Sequence, residues 1–269
     1  MRLAIGHVTR YTYTEPSRFL TQALRLSPPS FNGQRVIEWS IQSPGIERAA
    51  KFRDGFGNQV HLVNLSALHQ EVLIAGKGVI ETSDTAGVVK GLSEPSPPRV
   101  YLRATPPTMA GAAIKDLAAP VGSRPGLDGL HELMRRVRDA VDYEIGITHQ
   151  HTSAEDALTD GKGVCQDHAH IFIAAARHLG VPARYVNGYL YSDCGQTAAA
   201  HHAWAEAFVP QLGWVGFDPA NRVCPTDHYI RLATGLDAAS AAPIRGSRRG
   251  GAEEALDVTV QVQQHSVQQ

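Results

Sequence analysis

Cysteine is scarce in this chain. Cys165, Cys194 and Cys224 are the three cysteines of 269 residues, an odd number set about thirty positions apart. That spacing argues against a disulfide framework and against the close Cys-x-x-Cys pairs of a structural zinc site, and it favours a reducing compartment. A surplus of charge is lacking too. Lys and Arg number 25 against 26 Asp and Glu, for a net charge of -1, so nothing selects nucleic acid or an anionic membrane as partner. No apolar run reaches the length of a membrane-spanning helix. The opening M-R-L-A-I-G-H-V-T-R-Y-T-Y has neither the apolar region nor the cleavage site of a secretion signal and reads as a first strand, so the expected location is cytoplasmic.

What is present is a globular composition, 43% hydrophobic and 19% charged, in a chain long enough for two domains. Residues 1–83 alternate in the strand manner, with runs at Leu3–Ile5, His7–Tyr13, Ala23–Leu26, Arg35–Ile41, Val60–Leu65 and Val72–Glu81. Turn punctuation such as P-P-S-F-N-G and D-G-F-G-N separates them, which suggests an all-β sandwich or small barrel. Residues 84–108 shift to Pro, Ser and Gly, the composition of a linker.

From residue 109 the period becomes helical, over Met109–Ala119 and Leu127–Tyr143. Thr152 followed by Glu155 has the capping-box spacing. A further helix runs from Cys165 and stops at Gly180. The period then changes to two in A-R-Y-V-N-G-Y-L-Y, A-W-A-E-A-F-V and G-W-V-G-F-D, with a last strand pair expected at Asp227–Ala233 and Ala255–Gln263 and a loop between them. Helices followed by strands indicate an α+β domain over 109–269, with helices packed on an antiparallel sheet.

Chemistry centres on G-K-G-V-C-Q-D-H-A-H, residues 161–170. A cysteine there is a small buried residue or a nucleophile. A helix start offers free N–H groups and partial positive charge, which favour a thiolate and stabilise an oxyanion formed beside it. A nucleophile needs a base, and His201 and His202 open a strand on which only one of them can face the thiol. His202, Trp204, Glu206 and Phe208 share one face; Ala203, Ala205, Ala207 and Val209 share the other, flat enough to lie under a helix. The base needs an acceptor, and Asp218 ends the next strand, close enough in sequence for a hairpin to bring it to His202.

G-V-C-Q-D-H-A-H, A-R-Y-V-N-G-Y-L, H-A-W-A-E-A and G-W-V-G-F-D-P occur in this order and resemble the core of the bacterial transglutaminase-like superfamily, a group often described as cysteine proteases. The tail, with H-Y-I-R-L-A-T-G-L-D-A-A and P-I-R-G-S-R-R-G-G, and the β-rich first eighty residues resemble that family's flanking regions. The resemblance implies a papain-like, transglutaminase-like α+β core with Cys165 as nucleophile, His202 as base and Asp218 as orienting acid. It further implies thioester chemistry on amide bonds of a peptide or protein, ending in hydrolysis or in transfer to an amine. A non-catalytic peptide-binding module is the rival reading. The family usually carries an aromatic where this chain has His168.

Supporting roles fall to Gln166, which could offer an amide, and to Asp167, which complements the helix dipole or tethers a loop. Trp204 and Trp214 flank the proposed His and Asp and are expected to shield them, while Asn187, Tyr189 and Tyr191 are core or pocket wall. The glutamine that supplies the papain-type oxyanion donor is replaced by Thr159, so the backbone N–H of Cys165 is the first candidate donor. No cofactor and no metal is expected: His168 and His170 are two apart on a helix and do not share a face, and His149 and His151 lie in a polar loop. Composition sets no oligomeric state.

Overall fold

A computed structural model describes residues 1–149, 152–192, 201–250 and 253–265. Strand β1 (Arg2–Ser27) is continuous over 26 residues, where the sequence shows three separate runs. Its alternation changes phase once: Leu3 and Ile5 turn inward before the pairing irregularity between Ser17 and Phe19, and Leu20, Leu24 and Leu26 after it. Strands β2 (Gln34–Gln42), β3 (Ala50–Arg53), β4 (Gln59–Leu65) and β5 (His69–Thr82) complete an antiparallel order β2-β5-β1-β4-β3. The β3–β4 connection is the D-G-F-G-N turn. The Asp54 carboxylate accepts the N–H groups of Phe56 and Asn58 at 3.0 Å each, and Gly57 takes the left-handed φ of 87° the turn requires.

The second layer is a five-stranded antiparallel sheet, ordered β12 (Tyr229–Gly235), β9 (Ala183–Leu190), β10 (His201–Val209), β11 (Gly213–Phe217), β6 (Val88–Val89). Helices α1 (Ala112–Ala118), α2 (Leu127–Ala140) and α3 (Ala154–Asp160) pack around α4 (Cys165–His178). Helix α4 lies across the sheet because both surfaces are small. Ala174–Ala176 and the Ala203, Ala205, Ala207 face are buried in one cluster. It ends at Gly180, whose φ of 82° only glycine adopts without strain.

Two expectations are corrected. The capping box at the start of α3 is Ser153 with Asp156, one residue on from Thr152 and Glu155. Glu155 instead reaches across to α1, where its carboxylate accepts the free N–H groups of Gly111, Ala113 and Ile114 at 2.7–3.2 Å. The predicted last strand pair does not form. β12 pairs with β9, whereas the expected loop contains a strand, β13 (Ile244–Gly250), and both it and β14 (Glu254–Gln264) pair with β1 of the first sheet. Alternation shows that a segment is a strand; it carries no record of its partner.

The two sheets meet over one apolar interior, where Leu3, Ile5, Leu24 and Val63 pack with Tyr189, Ile230 and Leu232. Side-chain amides of the first sheet's strands and turns complete the free edge of β12. Gln34 exchanges two hydrogen bonds with the backbone of Arg231 (2.7 and 2.9 Å), and Asn58 does the same with Thr234 (2.8 and 2.9 Å). The Pro-rich stretch 84–108 is packed too: the buried Arg177 guanidinium donates to the Tyr101 carbonyl and the Thr108 hydroxyl.

Candidate active site

Cys165 is the first residue of α4, and the turn ahead of it is pinned from the helix itself. Asp167, buried in the first turn, accepts the Val164 N–H at 2.8 Å and the Thr148 hydroxyl at 2.7 Å through Oδ2. It therefore tethers a neighbouring loop as well as complementing the dipole. A Cβ at Gly163 would lie 2.7 Å from the Asp167 Cβ, so the glycine two residues before Cys165 is required by space. Gln166 sits half-buried beside Cys165.

His202 is the second residue of β10, and β10 and β11 form the expected hairpin. Pairing runs from Val209–Gly213 at the turn to Ala205–Phe217, beyond which β11 leaves the ladder. The chain then delivers Asp218 to the imidazole, with His202 Nε2 donating to Asp218 Oδ2 over 2.6 Å. That bond commits Nε2, and the Cys165 side chain also interacts with the same ring. His202 is 5% exposed and Asp218 is wholly buried. Burial by itself would favour the neutral imidazole; the hydrogen bonds and charges of Asp218 and Cys165 outweigh it and raise the His202 pKa to about 10. Burial also opposes the Asp218 charge, and the donors around the carboxylate reverse this, holding its pKa below the usual range.

Two of those donors escaped the sequence reading. Asn221 gives its side-chain amide to Asp218 Oδ2 at 2.7 Å and its backbone N–H to Oδ1 at 3.3 Å. Tyr229 gives its hydroxyl to Oδ2 at 2.8 Å. Asn221 had a signal in D-P-A-N, since an Asp followed three residues on by a turn-forming Asn is a local capping pattern. Tyr229 comes from β12, and no spacing announces it.

Trp204 lies where expected, its ring stacked 6.3 Å from that of His202. Trp214 does not. It sits at the closed end of the hairpin opposite Phe208, in a separate cluster with Tyr101 and under the Arg184 guanidinium at 3.9 Å. Asn187 and Tyr189 are buried, and the Tyr189 hydroxyl is 2.8 Å from His7 Nδ1. Tyr191 is half-buried at the edge of the interior between the sheets. Cys224 is half-buried and burial pushes its thiol up to about 11, away from reactivity. Cys194 and His151 lie outside the described residues.

The histidines weighed as metal ligands are taken by backbone groups. His168 has Nδ1 2.9 Å from the Val164 carbonyl and Nε2 3.1 Å from the Val141 carbonyl, while His170 Nε2 accepts the Ala238 N–H at 3.0 Å. His149 is exposed. Among the described residues no group of three or more His, Cys, Asp or Glu is placed to hold a metal ion. Among them, too, no helix is long and apolar enough to cross a membrane.

Comparison with known proteins places this geometry. A model of the transglutaminase-like superfamily core matches residues 115–219, and one of the bacterial transglutaminase-like N-terminal region matches residues 3–81. An uncharacterised protein of Mycobacterium leprae is 31% identical over an alignment of 287 residues that covers 97% of this chain and 98% of that protein. A protein-glutamine gamma-glutamyltransferase of Pseudomonas aeruginosa is 34% identical over 95 residues, 32% of this chain and 14% of that one. A "Putative Cysteine Protease from Cytophaga hutchinsonii" shares the fold, with a TM-score of 0.76 and 22% identity over 100% of this chain and 92% of its own. With both family regions in order and a relative aligned end to end, the chain belongs to the transglutaminase-like superfamily and carries that group's bacterial N-terminal region.

Proposed function

We propose that the protein is a cysteine peptidase or amidase that acts on amide bonds of a peptide or protein through a thioester acyl-enzyme. Membership in the transglutaminase-like superfamily supports cysteine-based acyl chemistry in general. The observation that carries the finer reading is the buried His202 ring, hydrogen-bonded to the Asp218 carboxylate and raised in pKa by Asp218 and Cys165 together.

The Cys165 sulfur attacks the amide carbonyl carbon, and the carbonyl electrons move to oxygen beside the N-terminus of α4. His202 gives its Nδ1 proton to the departing nitrogen, the C–N bond breaks, and a thioester and a free amine remain. Water then loses a proton to His202 as its oxygen attacks the thioester. The C–S bond breaks to release the acid and return the site to its first state. Asp218 stays ionised throughout and orients the imidazole; Asn221 and Tyr229 keep it so by donating to its oxygens.

Transfer to an amine in place of water is the second reading. It is favoured by the local likeness to the Pseudomonas aeruginosa protein-glutamine gamma-glutamyltransferase. Mass spectrometry of a peptide library incubated with wild-type and Cys165→Ala protein, with and without a primary amine, separates the outcomes. Cleavage selects the peptidase, deamidation the amidase and an amine adduct the transferase. A Cys165→Ala protein that yields the same products as wild type sinks all three.

A further inference from the structure

The first sheet takes no part in the chemistry above, yet one stretch of it lies bare beside the site. On its inward face His7, Thr9 and Tyr11 of β1 stand opposite Val260, Val258 and Leu256 of β14. Cover fails along this ladder: Val260 is 6% exposed, Val258 46% and Leu256 58%. Together with His201 and Ile244, these residues line a cleft of about 500 Å³, within the size range of ligand-binding sites.

The cleft opens where α4 stops. Arg177, at the far end of α4, donates to the Ala183 carbonyl at 2.9 and 3.1 Å, and the His170 ring lies 5.1 Å from that of Tyr185. Helix α4 therefore runs antiparallel to β9. From His170 to Cys165 is about 7 Å of helix, close to the two-residue step of β9 that leads from Tyr185 to Asn187. The next step ends at Tyr189, whose hydroxyl is 2.8 Å from His7 Nδ1 in the cleft. The register across β10 agrees. His202 pairs with Gly188, while His201, its ring 6.2 Å from that of His7, pairs with Tyr189. Cleft and candidate reaction centre are thus neighbours along the same two strands.

Among the described residues no Asp, Glu, Lys or Arg lines the cleft. The polar group at its base is already satisfied, since His7 Nδ1 meets the Tyr189 hydroxyl and Nε2 lies 3.0 Å from the Thr9 hydroxyl. Burial, then His201, lowers the His7 pKa to about 4, which leaves the ring uncharged at neutral pH. An ionic group entering here would lose water and meet no counter-charge, whereas an apolar one would cover Val258 and Leu256. Alternation along β10 sets His201 and His202 on opposite faces, so a leaving nitrogen at His202 puts the acyl part of the substrate toward His201. We propose that this cleft binds an uncharged aromatic or branched aliphatic side chain on the acyl part of the substrate, so that the first sheet selects what Cys165 attacks. This deepens the acyl-enzyme reading above and rests on it.

The test compares the p-nitrophenyl esters of N-acetyl-L-phenylalanine and N-acetylglycine, which share a leaving group and differ in the acyl side chain. Burial of the phenyl ring is expected to favour the first by roughly 10- to 100-fold in the nitrophenolate burst rate. Val258→Asp and Leu256→Asp each set a carboxylate in the cleft at an exposed position of β14. Each is expected to remove most of that preference while leaving the N-acetylglycine ester and the alkylation of Cys165 by iodoacetamide unchanged. No preference in wild type, a preference that survives in both variants, or equal slowing of both esters would overturn the assignment. A dimer that Val258→Asp separates in sedimentation, with the preference intact, would give the face to a second copy and overturn it too. A wild-type protein that alkylates at Cys165 yet gives no burst would instead overturn the acyl-enzyme reading. The cleft is then tested by N-acetyl-L-phenylalaninamide, which is expected to shift the His7 imidazole NMR signals in wild type and not in the two variants; unshifted wild-type signals would overturn it.

Discussion

Two buried charge clusters stand four residues apart on the same face of β10. At one end His202 meets Asp218; at the other Glu206, 1% exposed, is held by Arg184 Nε at 2.6 Å and Arg231 Nε at 2.9 Å. Trp204 lies between them in sequence and on that face. In the second cluster the charges are matched to one another. Both Glu206 oxygens accept, and the remaining Arg184 donors go to Glu94 at 2.7 and 3.1 Å. In the first cluster Asp218 is saturated by His202, Asn221 and Tyr229, but the imidazole also interacts with the Cys165 side chain. Burial and perturbed titration are shared by both. In the proposed mechanism, the availability of a proton to a nucleophile is what makes only one of them the candidate reaction centre.

That contrast can be broken from either side. Cys165→Ala is expected to abolish acyl-enzyme formation altogether and to change unfolding free energy by less than about 1 kcal/mol, read by intact-mass trapping and by urea denaturation. Asp218→Asn leaves the ring unoriented and is expected to lower acylation by about 10⁴-fold, in a protein that still folds; a loss below tenfold would refute the orienting role. Glu206→Ala does the reverse. It leaves the buried Arg231 guanidinium without its carboxylate and Arg184 with Glu94 alone, and is expected to cost about 3–5 kcal/mol of stability, while the folded fraction keeps its acylation rate.

The clusters also fail at opposite ends of the pH scale. Burial opposes the Glu206 charge, but the two arginines overcome it and hold its pKa at about 2, below the ordinary 4.5. Its contribution is thus present above the ordinary value and lost as pH falls through about 2. His202 is raised from 6.5 to about 10, so its contribution is complete below 6.5 and lost as pH rises through about 10. Because the sulfur helps to raise it, Cys165→Ala should move the His202 titration to lower pH; imidazole NMR signals that titrate unchanged would contradict the pairing. The smallest effect is expected for Trp204→Phe, which keeps a ring on His202 and should cost less than about 1.5 kcal/mol, measured by denaturation.

Legibility followed the range of the interaction. The helix from Cys165, its glycine stop and the β10–β11 hairpin are local, and the neighbourhood of His202 and Asp218 could be read from spacing and motif order. Glu155 was misread because its capping pattern is local while the helix it caps, α1, is forty residues away. Trp214 was misplaced because a hairpin has two ends, and proximity in sequence to Asp218 did not say which end it occupies. The helix read over Leu127–Tyr143 stops at Ala140, and β7 (Asp142–Tyr143) is a strand too short to have a period, whose partner β8 (Lys162–Gly163) lies beyond an intervening helix.

The sequence by itself determined the family, the order of the candidate reactive residues and the alternation that makes one face of β10 small and puts His202, Trp204, Glu206 and Phe208 on the other. Each depends on residues close enough in the chain for side-chain direction to follow from backbone period. Only the tertiary structure decided that β13 and β14 return to β1, that Tyr229 steadies Asp218, and that Glu155 caps α1. Those pairings join elements far apart in the chain, where shape and hydrogen-bond complementarity choose the partner and periodicity has no say.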